Sequence, residues 1–183
     1  MKNIGKLRLL NEFDLHQVRS WRNHENIRKS MYTRHIISEN EHKAWWEKVH
    51  DSPKETYFIY EYLDVPQGFV SFGSIDKLNE HCSWAFYASP NSIQGSGFKI
   101  EFLALEHAFF EIKVKKLYCE VLEFNSAVIK LHQKFGFKVD GVLRKHHKYN
   151  ESLIDVHVLS ILKDEWLNLR DVIGKRIDKV IND

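Results

Sequence analysis

Gln94-Gly95-Ser96-Gly97-Phe98-Lys99 and Asn125-Ser126-Ala127-Val128-Ile129-Lys130-Leu131-His132-Gln133-Lys134-Phe135-Gly136-Phe137 are the two stretches on which the fold turns. In the first, two glycines lead into an apolar-periodic helix expected over about Phe98 to Ile112, with Leu103, His107 and Phe110 along it. A glycine-rich turn entering a helix aims several unpaired backbone N–H groups at whatever lies in front, and a pyrophosphate fits such a cradle. Taken alone, Gly95 and Gly97 would serve equally well in a plain strand-to-helix turn. In the second stretch Asn125 opens a shorter helix that carries Val128, Leu131 and Phe135 on one face, and Gly136 ends it in a left-handed conformation. Leu117 to Leu122 reads as a strand between the two helices.

Residues 6 to 10 are expected to form a short strand, and Asp14 precedes Leu15, Val18, Trp21 and Arg22 at helical spacing, with Asp14 as its cap. A second helix is expected from about Ser38 to His50, with Ser38 and Glu41 as a capping box. Thr56 to Leu63, Gly68 to Ile75 and Ser83 to Ser89 read as an antiparallel meander with a turn at Pro66-Gln67-Gly68. Two late strands, about Val139 to Lys148 and Ile154 to Leu162, precede an amphipathic helix from Lys163. The order predicts one mixed α/β domain over 1–183, a mostly antiparallel central sheet of about seven strands flanked by helices.

Bulk properties narrow the functional classes. A chain of 183 residues supports a core without staples. Its formal charge of +2 is too small to mark nucleic acid or an anionic membrane as a partner. No apolar run approaches a membrane span or a signal segment, so a cytoplasmic setting is expected. Cys82 and Cys119 each fall within a strand and are expected to be buried fillers without chemistry. The eleven histidines form no ligand set with metal spacing, so no metal is expected.

The two opening stretches, in this order and with a strand between them, resemble the GNAT superfamily of N-acetyltransferases. There a Gln/Arg-x-x-Gly-x-Gly/Ala loop opens the helix that holds coenzyme A, and an Asn-x-x-Ala…Tyr-x-Lys-x-Gly-Phe segment forms the second wall. The resemblance implies acetyl-CoA as co-substrate, held by Gln94, Gly95, Ser96, Gly97, Phe98, Lys99, Asn125 and Lys134. The strand carrying Trp84, Ala85 and Phe86 would admit the pantetheine arm and polarise the thioester carbonyl through a backbone N–H. Lys99 stands where the family has glycine or alanine, and His132 where it has tyrosine. A closer resemblance rests on Trp21-Arg22-Asn23-His24, Met31-Tyr32, His35-Ile36 and Glu41-His42, which are similar to the N-acetyltransferases of pseudaminic acid biosynthesis. These act on the 4-amino group of a UDP-linked 4-amino-4,6-dideoxy sugar in the pathway that supplies flagellin glycosylation. Trp-Arg-Asn and the segment Asp155 to Trp166 are shared with ribosomal-protein and polyamine acetyltransferases.

Amine acetylation needs a neutral amine, a polarised thioester and a proton for the departing thiolate. His132, one turn after Val128 on the inward side of its helix, is the candidate acid; a histidine bonded at the core's edge is the plainer alternative. Glu120, mid-strand where a lone carboxylate is costly, is the candidate base, compensated by the substrate amine or by a hidden lysine or arginine. Arg22 lies in register with Leu15 and Val18 on a face otherwise buried, and requires an anion, either a UDP diphosphate or a structural carboxylate. By resemblance His42, Lys77, Met31 and Tyr32 line the nucleotide-sugar cleft, and Tyr87 is a further lining candidate. Of the adjacent Trp45 and Trp46, one belongs to the core and the other borders the cleft. The competing readings are an acetyltransferase for a protein N-terminus, a lysine or a polyamine, with an acidic cleft, and a non-catalytic acyl-CoA-binding domain. A homodimer is left open.

Overall fold

A computed structural model describes residues 4–180, and the first and last three residues of the expected domain lie outside it. The element order is β1 (Lys6–Leu9), α1 (Leu15–Asn23), α2 (Glu25–Arg28), α3 (Glu39–Val49), β2 (Thr56–Tyr62), β3 (Val65–Asp76), β4 (His81–Ala88), α4 (Ser96–Glu106), β5 (Lys116–Leu122), α5 (Ser126–Lys134), β6 (Lys138–Tyr149), β7 (Ser152–Leu162) and α6 (Lys163–Val180). One seven-stranded sheet runs β1-β2-β3-β4-β5-β7-β6. Every adjacent pair is antiparallel except β4 and β5. That mixed, mostly antiparallel sheet flanked by helices is the fold expected from the sequence. Among the described residues no helix is long and apolar enough to cross a membrane.

Strand alternation supplies both faces of the sheet with apolar side chains. Phe58, Tyr60, Val70 and Phe72 point to one side, where they meet Ile100, Phe102, Leu105 and Phe109 of the α4 region and Trp166 of α6. Ile59 and Phe69 point to the other side, against Val18 and Trp21 of α1. Both cysteines are free and buried, and burial pushes the Cys82 thiol up to about 12.

Several local expectations change. The β2–β3 hairpin turns at Leu63-Asp64, whose φ values are 52° and 59°, and Pro66-Gln67-Gly68 lie within β3. Two successive positive φ values match the twist of a tight hairpin, which ordinarily calls for Asn or Gly. The register then skips Gln67, because Glu61 pairs with Pro66 and Tyr60 with Gly68. Asp14 does not cap α1 with its side chain; the carboxylate takes Arg8 and the Asn11 N–H instead. Ser38 caps α3 through the Glu41 N–H, but the Glu41 carboxylate turns to His35. The long central helix starts at Ser96, and from His107 to Ile112 it loosens into wider turns. Gly136 is left-handed as expected, at φ 94°.

Candidate active site

β4 and β5 pair over only three positions, ending at Ser83 with Tyr118. Beyond that the parallel strands part, and Trp84 and Cys119 are the first residues of the fork. A parallel pair that separates leaves backbone groups of Trp84 to Ala88 available inside the sheet, where a buried polar group demands a partner. The loop from Ser89 to Gly95 leaves the open end of β4 and is anchored by Gln67. The Gln67 side-chain oxygen accepts the Ile93 amide at 2.9 Å, and its carbonyl accepts the Ser89 amide at 2.7 Å. Gly95, at φ 81° and ψ 0°, is the residue before α4, and its carbonyl takes the Phe98 and Lys99 amides. Among the described residues the amides of Gln94, Gly95 and Gly97 donate to no protein acceptor. This is the cradle a phosphate group fits.

α5 forms the second wall. Phe98 packs on Phe135 at 4.5 Å, and a Cβ on Gly97 would stand 3.7 Å from both Leu131 and Phe86. His132 points inward from α5 and is almost fully buried. Its Nδ1 lies 2.8 Å from Glu101 Oε1 of α4, and the rings of Trp84, Phe86 and Phe137 surround it. Burial favours the neutral imidazole, but hydrogen bonding with Cys119 and Glu101 outweighs it and lifts the pKa to about 10.

On the opposite face of the sheet a cavity of about 330 Å³ is lined by Arg22, Glu41, His42, Trp45, Tyr57, Phe69 and Tyr87, among others. Arg22 donates Nη2 to the Thr33 carbonyl at 2.9 Å, while its buried Nη1 has no partner. Burial depresses its proton affinity, Tyr87 opposes that effect and Arg28 adds to it. Tyr87 stacks on Phe69 at 5.1 Å and His42 on Trp45 at 5.0 Å. Burial, helped by Arg19, lowers the His42 pKa, so the ring is neutral near pH 7. Beside the fork Tyr32 donates its hydroxyl to Glu120 at 2.5 Å and packs edge-on against His147, whose buried Nε2 is unpartnered.

A split β4–β5 pair, a glycine turn with free amides at a helix start and a second helix closing over both are joined by a family match. Residues 7–158 match the acetyltransferase (GNAT) domain. The chain belongs to the GNAT acetyltransferase family. It is 29% identical over 139 residues to the acetyltransferase PseH of Campylobacter jejuni, covering 76% of this chain and 84% of that one. It is also 25% identical over 165 residues to spermidine N(1)-acetyltransferase of Escherichia coli K12, covering 88% of each chain. Its fold superposes on that of Vibrio cholerae spermidine N-acetyltransferase, solved in complex with CoA and spermine, with a TM-score of 0.82. That likeness covers 88% of this chain and 97% of the other at 24% identity. This GNAT enzyme is therefore an acetyltransferase.

The GNAT frame sorts the residues singled out from the sequence. Arg22, His42 and Tyr87 meet in the cavity, and Trp45 is the tryptophan that borders it. Tyr32 and Glu120 meet at the fork, and Met31 packs behind them in the α1 core. Glu120 is exposed rather than buried, and its partner is a phenol, not a lysine or arginine. Trp84 is buried, Ala85 lies on the open face of β4, and Phe86 lies against the start of α4. Ser96 turns its hydroxyl back onto the Ile93 carbonyl, stiffening the loop, and Gln94 is exposed beside it. Asn125 precedes α5 without a side-chain capping bond, and Lys134 is exposed in the last turn.

Two candidates move away. The Lys99 ammonium sits 3.8 Å from the Tyr62 ring centroid, so its visible role is packing on the sheet. Lys77 lies in the hairpin turn between β3 and β4, at the end of the sheet opposite the fork, and does not join the cleft. Glu101, Gln67, His147 and Trp45's neighbours Tyr57 and Phe69 stand at the site without having been expected there. Only Glu101 carried a signal, as a lone carboxylate within the otherwise apolar run Ile100 to Leu105.

Proposed function

We propose that this GNAT enzyme transfers the acetyl group of acetyl-CoA directly to the amine of a nucleotide-linked amino sugar. The resemblance to the pseudaminic acid acetyltransferases gives the acceptor as the 4-amino group of a UDP-linked 4-amino-4,6-dideoxy sugar. The observation that carries the reading is the half-buried Arg22, whose side chain donates only to the Thr33 carbonyl among the described residues and keeps one unpartnered nitrogen, in an aromatic-walled cavity. A guanidinium desolvated in this way calls for an anion, and aromatic walls suit a nucleobase or a deoxysugar. A polycation gains nothing from that arrangement. The cavity's one carboxylate, Glu41, is bound to His35 at 2.8 Å and 3.0 Å. A second reading, polyamine acetylation, draws support from the spermidine acetyltransferase relatives and from the exposed Glu120.

In the proposed reaction the amides of Gln94, Gly95 and Gly97 hold the pyrophosphate, with Asn125 and Lys134 on the facing helix. A backbone N–H of Trp84 to Phe86 polarises the thioester carbonyl. The amine nitrogen bonds to the acetyl carbon and the carbon–sulfur bond breaks. Glu120, bonded to Tyr32, takes the amine's proton, and His132 gives one to the thiolate.

Arg22→Ala tests the acceptor. The Michaelis constant for the UDP-sugar should rise about 10- to 100-fold, as loss of a charge-assisted contact implies, with that for acetyl-CoA changing less than about twofold. Equal effects on both substrates, or lost thermal stability without a kinetic change, would overturn the assignment.

A further inference from the structure

Glu101 is fully buried and has no task in the reaction as described so far. It faces His132 across the α4–α5 interface, with side chains 0% and 3% exposed and a 2.8 Å contact between them. Its second oxygen, Oε2, has no partner. The imidazole is enclosed by Trp84 and Phe86 of β4 and by Phe137, and its other polar neighbour is Cys119 of β5. Trp84 and Cys119 follow immediately on the last paired positions of β4 and β5, so the ring stands at the point of the fork. The remaining charged groups nearby face elsewhere: Lys99 of α4 is turned onto Tyr62, and Lys134 of α5 is exposed.

A carboxylate in apolar surroundings with one bare oxygen is costly unless a positive charge lies beside it. Nδ1–H donating to that carboxylate fixes the imidazole tautomer and leaves Nε2 as the end that gains and loses a proton. We propose that Glu101 is a positioning residue for acetyl transfer, which clamps Nδ1 of His132 so that Nε2 presents the transferable proton where the thiolate departs. This rests on the reading of His132 as the acid and adds the residue on which that acid depends.

Together the two residues reproduce the proton affinity of the tyrosine found at this position elsewhere in the superfamily. Burial raises the Glu101 carboxyl, with the bond from His132 opposing it, and the His132 pKa stands at about 10. An ion pair and its neutral tautomer, related by moving the proton along one hydrogen bond, hold the same number of protons. Both directions therefore describe a pair that keeps its proton through neutral pH. Because the folded value lies above the ordinary 6.5 or so, the proton is present below that and is lost only as pH rises through about 10. A phenol titrates at about 10, whereas an unassisted imidazole is half deprotonated at about 6.5.

The test is a histidine NMR titration of wild type and Glu101→Gln, with the His132 signal identified by its absence in His132→Phe, alongside pH profiles of turnover. Wild-type His132 should remain protonated through pH 8. In Glu101→Gln it should titrate at or below its ordinary value, and the alkaline limb of turnover should move down by roughly 3 pH units or more, with little change in the Michaelis constant for acetyl-CoA. A Glu101→Gln protein whose titration and alkaline limb match wild type would reduce Glu101 to packing while leaving His132 as the acid. If Glu101→Gln does not fold, a neutral His132 in the wild-type protein at pH 7.5 overturns the proposal by itself. Turnover of His132→Phe equal to wild type at every pH would instead remove the acid itself, and the role of Glu101 with it.

Discussion

Gly97 is the position at which a single side chain separates coenzyme binding from folding. It is the second residue of α4, and a Cβ built there meets Leu131 and Phe86 at 3.7 Å, an ordinary contact distance. Gly97→Ala should therefore fold and bind. In Gly97→Leu the atoms beyond Cβ extend two further bonds of about 1.5 Å each, into the gap bounded by Phe86, Leu131 and the free loop amides. The gap is lost while the helix gains slightly, because leucine is a better helix former by under about 1 kcal/mol. Saturation at 100 times Kd stabilises a protein by about 2.7 kcal/mol. In a chain of this size that raises the melting temperature by roughly 5 to 10 °C. Thermal melts with and without acetyl-CoA should show this rise for wild type and most of it for Gly97→Ala. Gly97→Leu should lose the rise while melting near the wild-type temperature without ligand. An undiminished rise in Gly97→Leu would refute the placement of the coenzyme between the loop and α5.

Tyr32→Phe removes the hydroxyl bonded to Glu120 and should lower kcat/KM for the amine about tenfold or more, without affecting the acetyl-CoA melting response. An unchanged kcat/KM would detach the pair from catalysis. On the β1 side, Arg8 binds Asp14 with two nitrogens and Glu61 with a third. Burial works to raise the Asp14 pKa, but Arg8 and the Asn11 amide outweigh it and hold the carboxyl below its usual value. This contribution is complete above about pH 3.9 and is lost as pH falls through the lower folded value. Arg8→Met should lower stability at pH 7 by about 2 kcal/mol and flatten its acid dependence, which urea unfolding across pH would measure. An acid dependence as steep as that of wild type would count against the network.

Much of the architecture could be read from the chain because each helix and strand carries its own period. The glycine turn before α4 and the left-handed Gly136 announced themselves by residue type. What stayed hidden depended on partners distant in sequence. Leu63 and Asp64 make a turn that their residue types do not advertise. Trp45, Tyr57, Phe69 and Tyr87 come from four elements and become a cavity wall only once α3 lies on the sheet. Glu120 looked like a buried charge because its neighbours Cys119 and Val121 are apolar, yet alternation turns it to the open face. Lys77 matched a family position, but its place in the hairpin turn puts it at the wrong end of the sheet.

Acetyl transfer from labelled acetyl-CoA, with a UDP-linked 4-amino-4,6-dideoxy sugar and spermidine compared as substrates, decides the acceptor. An aromatic cavity with an unpaired guanidinium predicts a kcat/KM at least about 100-fold higher for the nucleotide sugar. Preference for spermidine, or no transfer to either amine by a protein that binds acetyl-CoA, would contradict it.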